Sequence, residues 1–393
     1  MLDKFRVRNF RCLRDVEVPL GPLTFLIGPN NTGKSSFLDA VAMLSHCTRV
    51  RDIATLSALA GGRFGRTVTG GDAKLKIKLD AGISWHDEDD RDRHGRYCLG
   101  ISQGAQYPVV SHELFAPAAM DGHVAATLER ERHEPGVFSH RGFGAPLVEA
   151  LVSKNGTILW HLAQKMEPSA SGVEQAMRCT PKYKLIPQRM AEPCQVEPST
   201  ELSGDGYGLA SCLDTLREVT PDRFREIERA LKQFVSTIDA VTFPTVGPGK
   251  KSVLFHEKPT GSKVYASEAS DGLLLFLAYL TIAYSHGDAS VLLVEEPEQG
   301  VHSHRLKAIV ELLRAISRGS LGTRPVQVIA TSHSPYLLDC CEKDEIAIFA
   351  RDEKGGVTVT PMADVPNIDE QLDDFAPGEL IHTFGRRICG SHS

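Results

Sequence analysis

No two cysteines in this chain are spaced C-x-x-C. The nine present, Cys12, Cys47, Cys98, Cys179, Cys194, Cys212, Cys340, Cys341 and Cys389, follow no ordered framework. A zinc site or a secreted disulfide scaffold is therefore not expected, and reduced thiols in a cytoplasmic protein are the simplest account. The start, Met1-Leu-Asp-Lys-Phe-Arg6, lacks an apolar signal region. The longest apolar stretch, Leu273 to Tyr284, is too short to span a bilayer and reads as a buried helix, so no membrane partner is expected. Excess positive charge is also missing. A formal net charge of −6 argues against nucleic-acid binding through overall basicity, while leaving local basic patches open. Sustained heptads are absent, which excludes long coiled-coil arms. So is the N-K-x-D motif that reads a guanine base.

What is present centres on Gly28-Pro29-Asn30-Asn31-Thr32-Gly33-Lys34-Ser35, which fits G-x-x-x-x-G-K-[ST], a phosphate-binding loop. The context agrees. An apolar run, Leu23 to Ile27, precedes the loop, and Ser36 leads into Phe37, Val41 and Leu44 at helical spacing. Gly28 and Gly33 allow backbone angles that turn successive N–H groups toward an anion. The following helix points its positive end at the same place. Lys34 supplies charge to β- and γ-phosphates, and Ser35 a hydroxyl to Mg²⁺.

A second group of motifs lies far downstream. Ser290 to Glu298 is an apolar strand ending in acids. In a phosphate-loop ATPase such a strand carries its acids to the γ-phosphate: Glu295 is expected to hold Mg²⁺ and Glu296 to polarise the attacking water. Val326 to Tyr336 is another such strand, ending in Thr331-Ser-His333. His333 there is suited to bonding the γ-phosphate or the water. Ser270-Asp271-Gly272 opens the apolar helix. A helix cap and a phosphate contact are both open readings of it.

With 393 residues and 41% hydrophobic content, the chain has room for a large α/β domain or two to three domains. The expected division is 1–120, an N-terminal lobe with an antiparallel β subdomain; 121–240, an irregular and helical insertion; and 241–393, a C-terminal lobe. In the first, Lys4, Arg6, Arg8, Arg11 and Arg14 interleave with apolar residues. That ladder reads as a solvated strand face, with one arginine open to facing a nucleotide. Lys74 to Leu79 alternates, and Asp87 to Gly95 reads as an exposed hairpin loop rather than a metal site. Thr157 to Trp160 reads as a strand within a stretch, 117–200, that is otherwise illegible. Phe224, Ile227, Leu231, Phe234 and Ile238 form one helical stripe, and Gly247 to Lys251 separates two strands. Neither Gln103 nor Gln106 has the context of a Q-loop.

Together these residues resemble the ABC-type ATPases of the RecF/SMC/OLD group, most of all the stand-alone AAA-family ATPases within it. Asn9-Phe10-Arg11 resembles the N-terminal motif whose arginine approaches the phosphates. Gly28 to Ser35 matches Walker A, Ser270 to Gly272 the signature, Leu292 to Glu296 Walker B, Glu298 to His302 the D-loop region, and Thr331 to Pro335 the switch histidine. Glu295 stands where most ABC ATPases have Asp, and Ser303 where relatives commonly have Pro. The resemblance implies a P-loop NTPase head with a mixed central sheet flanked by helices. It also implies ATP and Mg²⁺ as ligands, and a homodimer or higher even oligomer whose heads sandwich ATP, Ser270 and Gly272 of one facing the γ-phosphate of the other. The expected role is a switch in DNA metabolism or phage defence, acting on a separate nuclease or toxin. DNA as a ligand rests on the resemblance alone, with Lys182, Lys184, Arg189, Lys250 and Lys251 as its candidate contacts. An ATP-binding scaffold is the competing reading. A small-molecule kinase or a transporter ATPase subunit has less in its favour, and the stretch after His333 is too short for an appended nuclease domain.

Overall fold

The computed structural model describes residues 1–50, 53–56, 67–72, 74–86, 91–103, 108–117, 127–131, 139–141, 157, 159–160, 168–258, 260–285 and 289–381. It divides into two compact units that do not follow the three consecutive segments expected above. One unit joins Met1–Thr180 to Lys343–Asp374. The other comprises Pro181–Glu342 and a short stretch beginning at Phe375.

In the first unit, β1 (Leu2–Phe10), β2 (Leu13–Pro19), β4 (Ile77–His86), β5 (Asp92–Gln103), β6 (Pro108–Pro117), β7 (Thr127–Glu131) and β8 (Ser139–Arg141) form a seven-stranded sheet in the order β2-β1-β4-β5-β6-β7-β8. Every pairing in it is antiparallel. Alternation explains β1: Phe5, Val7 and Phe10 are buried, while Arg6 and Arg8 reach Asp15 across the pair at 2.7 and 3.1 Å. That part of the arginine ladder is thus a solvated face. The loop expected over Asp87 to Gly95 does not extend through Asp92 to Gly95. Asp92 to Gly95 already belong to β5, because Asp92 pairs with His86 and Arg93 with Trp85; residues 87–90 lie outside the described set. Leu159 and Trp160 are helical rather than extended, the Leu159 N–H donating to the Glu113 carboxylate at 3.1 Å instead of to a strand.

Strand β3 (Leu23–Ile27) is wholly buried and runs parallel to Ile346–Arg351, which forms an antiparallel hairpin with Val357–Pro361. Helix α1 (Lys34–Arg49) packs through Phe37, whose ring meets Phe5 edge-on at 5.4 Å and Phe349 at 5.9 Å. One aromatic therefore ties the helix to the antiparallel sheet and to the C-terminal hairpin. Burying it contributes roughly 1.5–3 kcal/mol. A second helix, α2 (Pro168–Ala176), closes this unit's list of longer helices among the described residues.

In the second unit, β9 (Lys182–Tyr183), β16 (Val291–Glu295) and β17 (Gln327–Ser332) are parallel neighbours, with Leu293 opposite Lys182 and Glu295 opposite Thr331. Beside them lie α3 (Pro187–Ala191), α4 (Leu209–Val219) and α5 (Pro221–Phe234), and two three-stranded antiparallel sheets. The first sheet is β10 (Cys194–Gln195), β13 (Lys250–Lys251) and β12 (Thr245–Gly247). The second is β11 (Ile238–Thr242), β14 (Leu254–Glu257) and β15 (Lys263–Tyr265). The apolar stripe of α5 buries Phe224, Ile227 and Leu231, while Ile238 turns out to lie on β11. Helix α6 (Asp271–Ser285) is apolar around its whole circumference and is buried from Leu274 onward. No helix of the described residues is long and apolar enough to cross a membrane. After β16 come α7 (Leu306–Ser317) and, past β17, the short α8 (Pro335–Leu338).

Candidate nucleotide site

The phosphate loop belongs to the first unit, and its glycines are demanded by geometry. Gly28 has φ +150°, and a Cβ there would lie 2.1 Å from the Phe349 carbonyl oxygen. Gly33, at φ +96°, would put a Cβ 2.7 Å from a Leu13 methyl and 2.9 Å from the Cys12 sulfur. Asn31 is also left-handed, at φ +65°. The loop closes on itself: the Thr32 hydroxyl donates to the Pro29 carbonyl at 2.9 Å, and the buried Lys34 ammonium donates to the carbonyls of Gly28 at 2.6 Å and Pro29 at 2.8 Å. Asn30 and Ser35 are exposed, Ser36 half-buried. The Arg11 guanidinium pairs with Asp39 on α1 and stacks on Phe10 at 5.2 Å. A residue without any local sequence signal also braces the loop. Arg351, on the hairpin strand beside β3, donates to the Asn31 carbonyl at 3.1 and 2.6 Å and to the Gly355 carbonyl at 2.7 Å.

The acids lie in the second unit. The register that sets Glu295 opposite Thr331 ends both strands together, so the residues just beyond them meet. Glu296 is left-handed, at φ +49°, which costs a non-glycine residue about 1–3 kcal/mol. Its N–H is secured by the Thr331 carbonyl at 3.0 Å. The result is a carboxylate oxygen 3.8 Å from His333 Nδ1. Glu298 Oε1 accepts from the Ser332 hydroxyl at 2.5 Å and from the His333 N–H at 3.2 Å. Lys182 reaches Glu295 at 2.8 Å, and Lys184 reaches Glu296 at 3.4 Å.

The sequence offers those two lysines as nucleic-acid contacts, and the structure gives them acidic partners. Arg189 is likewise held by Asp205 and Glu192, and Lys251 by the buried Asp214; Lys250 is exposed. Gathering Lys182 and Lys184 here needs only β9 to lie beside β16, and a two-residue strand among prolines carries no periodic signal.

At the start of α6, Ser270 Oγ accepts from the Leu273 N–H at 3.4 Å, a long helix-cap bond. Asp271 faces Gly300, whose Cβ would come within 3.0 Å of its carboxylate. Gly272 is different: its φ is not left-handed, and a Cβ would meet nothing within 4 Å. Nothing among the described residues requires glycine there.

Each unit holds, by itself, an oxygen donor of the kind a hard divalent cation takes. Glu295 offers carboxylate oxygens at a strand end that already draws two ammonium groups, and Ser35 offers an exposed hydroxyl. Among the described residues no cluster of three His, Cys, Asp or Glu side chains makes a metal cage. Mg²⁺ needs none, because it takes one or two protein oxygens together with substrate phosphates.

Residues 1–90 match a family model described as "AAA ATPase domain", and residues 210–339 one described as "AAA domain, putative AbiEii toxin, Type IV TA system". An OLD nuclease of Thermus scotoductus (strain ATCC 700910 / SA-01) is 50% identical over 44 residues, a match covering 11% of this chain and 8% of that protein. Among solved structures, an SMC head bound to the C-winged helix domain of ScpA superposes with a TM-score of 0.50 at 13% identity, covering 91% of this chain and 96% of that one. An SMC head from Pyrococcus furiosus with an extended coiled coil, bound to the C-terminal domain of ScpA, has a TM-score of 0.46 at 11% identity and coverage of 95% and 99%. At 13% identity the first of these likenesses speaks to the fold alone. One family match thus holds the phosphate loop and the other the strand-end acids, and in both stretches the chain is similar to AAA-family ATPases.

Proposed function

We propose that the chain is an ATP-driven molecular switch: two copies close around ATP, hydrolysis releases them, and the cycle controls a separately encoded effector in DNA metabolism or phage defence. The observation that carries hydrolysis is the strained Glu296, held with a carboxylate oxygen 3.8 Å from His333 Nδ1. A non-glycine residue fixed in a left-handed conformation beside an imidazole fits a group aimed at a reacting atom better than a surface acid.

Lys34 and the backbone N–H groups of Asn30 to Ser36 hold the β- and γ-phosphates, and Arg11 adds charge when freed from Asp39. Ser35 and Glu295 would hold Mg²⁺, which supplies neutralisation of phosphate charge. Glu296 orients water and takes its proton, giving ADP and phosphate; His333 bonds the γ-phosphate. The unencumbered Gly272, with Ser270 and Asp271, suits the approach of a second copy's nucleotide. The nuclease named in the relative and the toxin named in the family description support an effector of that class.

The trap for this switch is Glu296→Gln. With ATP and Mg²⁺ it should run as a stable dimer in light-scattering chromatography while the wild-type chain cycles; a monomer under saturating ATP would remove the dimer. A scaffold whose assembly matters and whose hydrolysis does not is the second reading. The ion pairs that engage both Glu295 and Glu296 favour it. A scaffold keeps its biological activity in Glu296→Gln, and a switch loses it.

A further inference from the structure

Glu298 lies in the turn after Pro297, where no chemistry with nucleotide requires a carboxylate, yet its side chain is only 9% exposed. One oxygen is fully used: Oε1 accepts from the Ser332 hydroxyl at 2.5 Å and the His333 N–H at 3.2 Å. The other, Oε2, is buried and without a hydrogen-bond partner among the described residues. Burying a carboxylate with half its capacity unsatisfied lowers stability, so packing alone does not account for it.

What the carboxylate touches does account for it. His333 is the first residue beyond β17, and its side chain is 51% exposed, so little packing fixes the ring. Its placement depends on the backbone that carries it and on Glu298 itself, whose Oε1 lies 3.9 Å from His333 Nδ1. The Ser332 hydroxyl also accepts from the Ser334 N–H at 3.1 Å, so the chain is pinned on both sides of His333.

We propose that Glu298 is a positioning residue: its buried carboxylate fixes Ser332 and His333 so that the imidazole stands beside Glu296. This rests on the reading of His333 as the γ-phosphate contact. The bonds join the turn that follows the acids to the end of the neighbouring strand, and any shift of the turn carries the imidazole with it.

The test is a double-mutant comparison of ATP hydrolysis and nucleotide binding in the full chain. Glu298→Ala should lower kcat about 10- to 100-fold, the scale of a small misplacement of a reacting group, and leave the dissociation constant for ATP within about threefold. Glu298→Gln, which keeps the acceptor oxygen, should recover most of that loss. Adding Glu298→Ala to His333→Ala should lower kcat no further than His333→Ala alone, because both act through one imidazole. Losses that multiply, a wild-type kcat in Glu298→Ala, or no recovery in Glu298→Gln overturns the proposal. If His333→Ala hydrolyses at the wild-type rate, the reading of His333 falls and the proposal with it. An impaired His333→Ala beside an unimpaired Glu298→Ala removes the proposal alone. Should Glu298→Ala fail to fold by circular dichroism, Ser332→Ala takes its place. It should cost kcat several-fold with His333 present and nothing in its absence, and equal losses in both backgrounds overturn the proposal.

Discussion

Gly28 and Arg351 show how a single residue governs the loop. Gly28→Ala must push a methyl into the Phe349 carbonyl 2.1 Å away at a φ of +150°, so unfolding in denaturant should show a loss above ~1 kcal/mol. Arg351→Ala removes the bonds to the Asn31 carbonyl at 3.1 and 2.6 Å from an exposed position. Its effect should fall on binding: calorimetry should show ATP affinity weakened about fivefold to tenfold with the melting temperature little changed, as loss of a charged hydrogen bond implies. Glycines at fixed offsets made the loop legible from sequence, because the chemistry of phosphate binding dictates them locally. Arg351 was not legible. It reaches the loop only through the parallel pairing of Ile346–Arg351 with β3, which local sequence does not encode.

At the scale of elements, register does most of the work. The strand-end acids and His333 were legible as motifs, but that Glu295 stands opposite Thr331, and so Glu296 beside His333, is a property of pairing. Helix α1 depends on Phe37 between Phe5 and Phe349. Phe37→Ala should cost about 3–5 kcal/mol, read as a fall in denaturation midpoint. In β5 and β6 the buried Tyr97 hydroxyl donates to Glu113 at 2.8 Å. Burial, then the Glu113 charge, push the Tyr97 phenol well above its ordinary value. The unfolded chain therefore releases that proton near pH 10 while the folded one keeps it. The stability it confers is complete below pH 10 and declines above it. Thermal melts should show that decline, and Tyr97→Phe should flatten it. The middle of the chain was illegible for a related reason: its short strands and prolines carry no period, and two-residue pieces such as β9 matter only through what they lie beside.

For the whole molecule, the fold class was readable because two motif groups at opposite ends of the chain point to the same chemistry. The division into units was not, since Lys343–Asp374 rejoins the N-terminal unit through pairings that skip over the second. The acidic partners of Lys182, Lys184, Arg189 and Lys251 leave little free charge for phosphate neutralisation. Binding to duplex DNA through these residues should thus show a shallow salt dependence, well below one log unit per log salt for each of the five candidate cations. A slope near −4 or steeper would show that the ion pairs open for DNA.

The central claim of the proposal is that Lys34 holds ATP and Glu296 drives its hydrolysis. Bound nucleotide and released phosphate, measured on the same samples of Lys34→Ala and Glu296→Gln, test it most directly. Lys34→Ala should neither retain ATP nor hydrolyse it. Glu296→Gln should retain ATP at one per chain and release phosphate at least ~100-fold more slowly than wild type. Phosphate release at the wild-type rate from either variant would contradict the account.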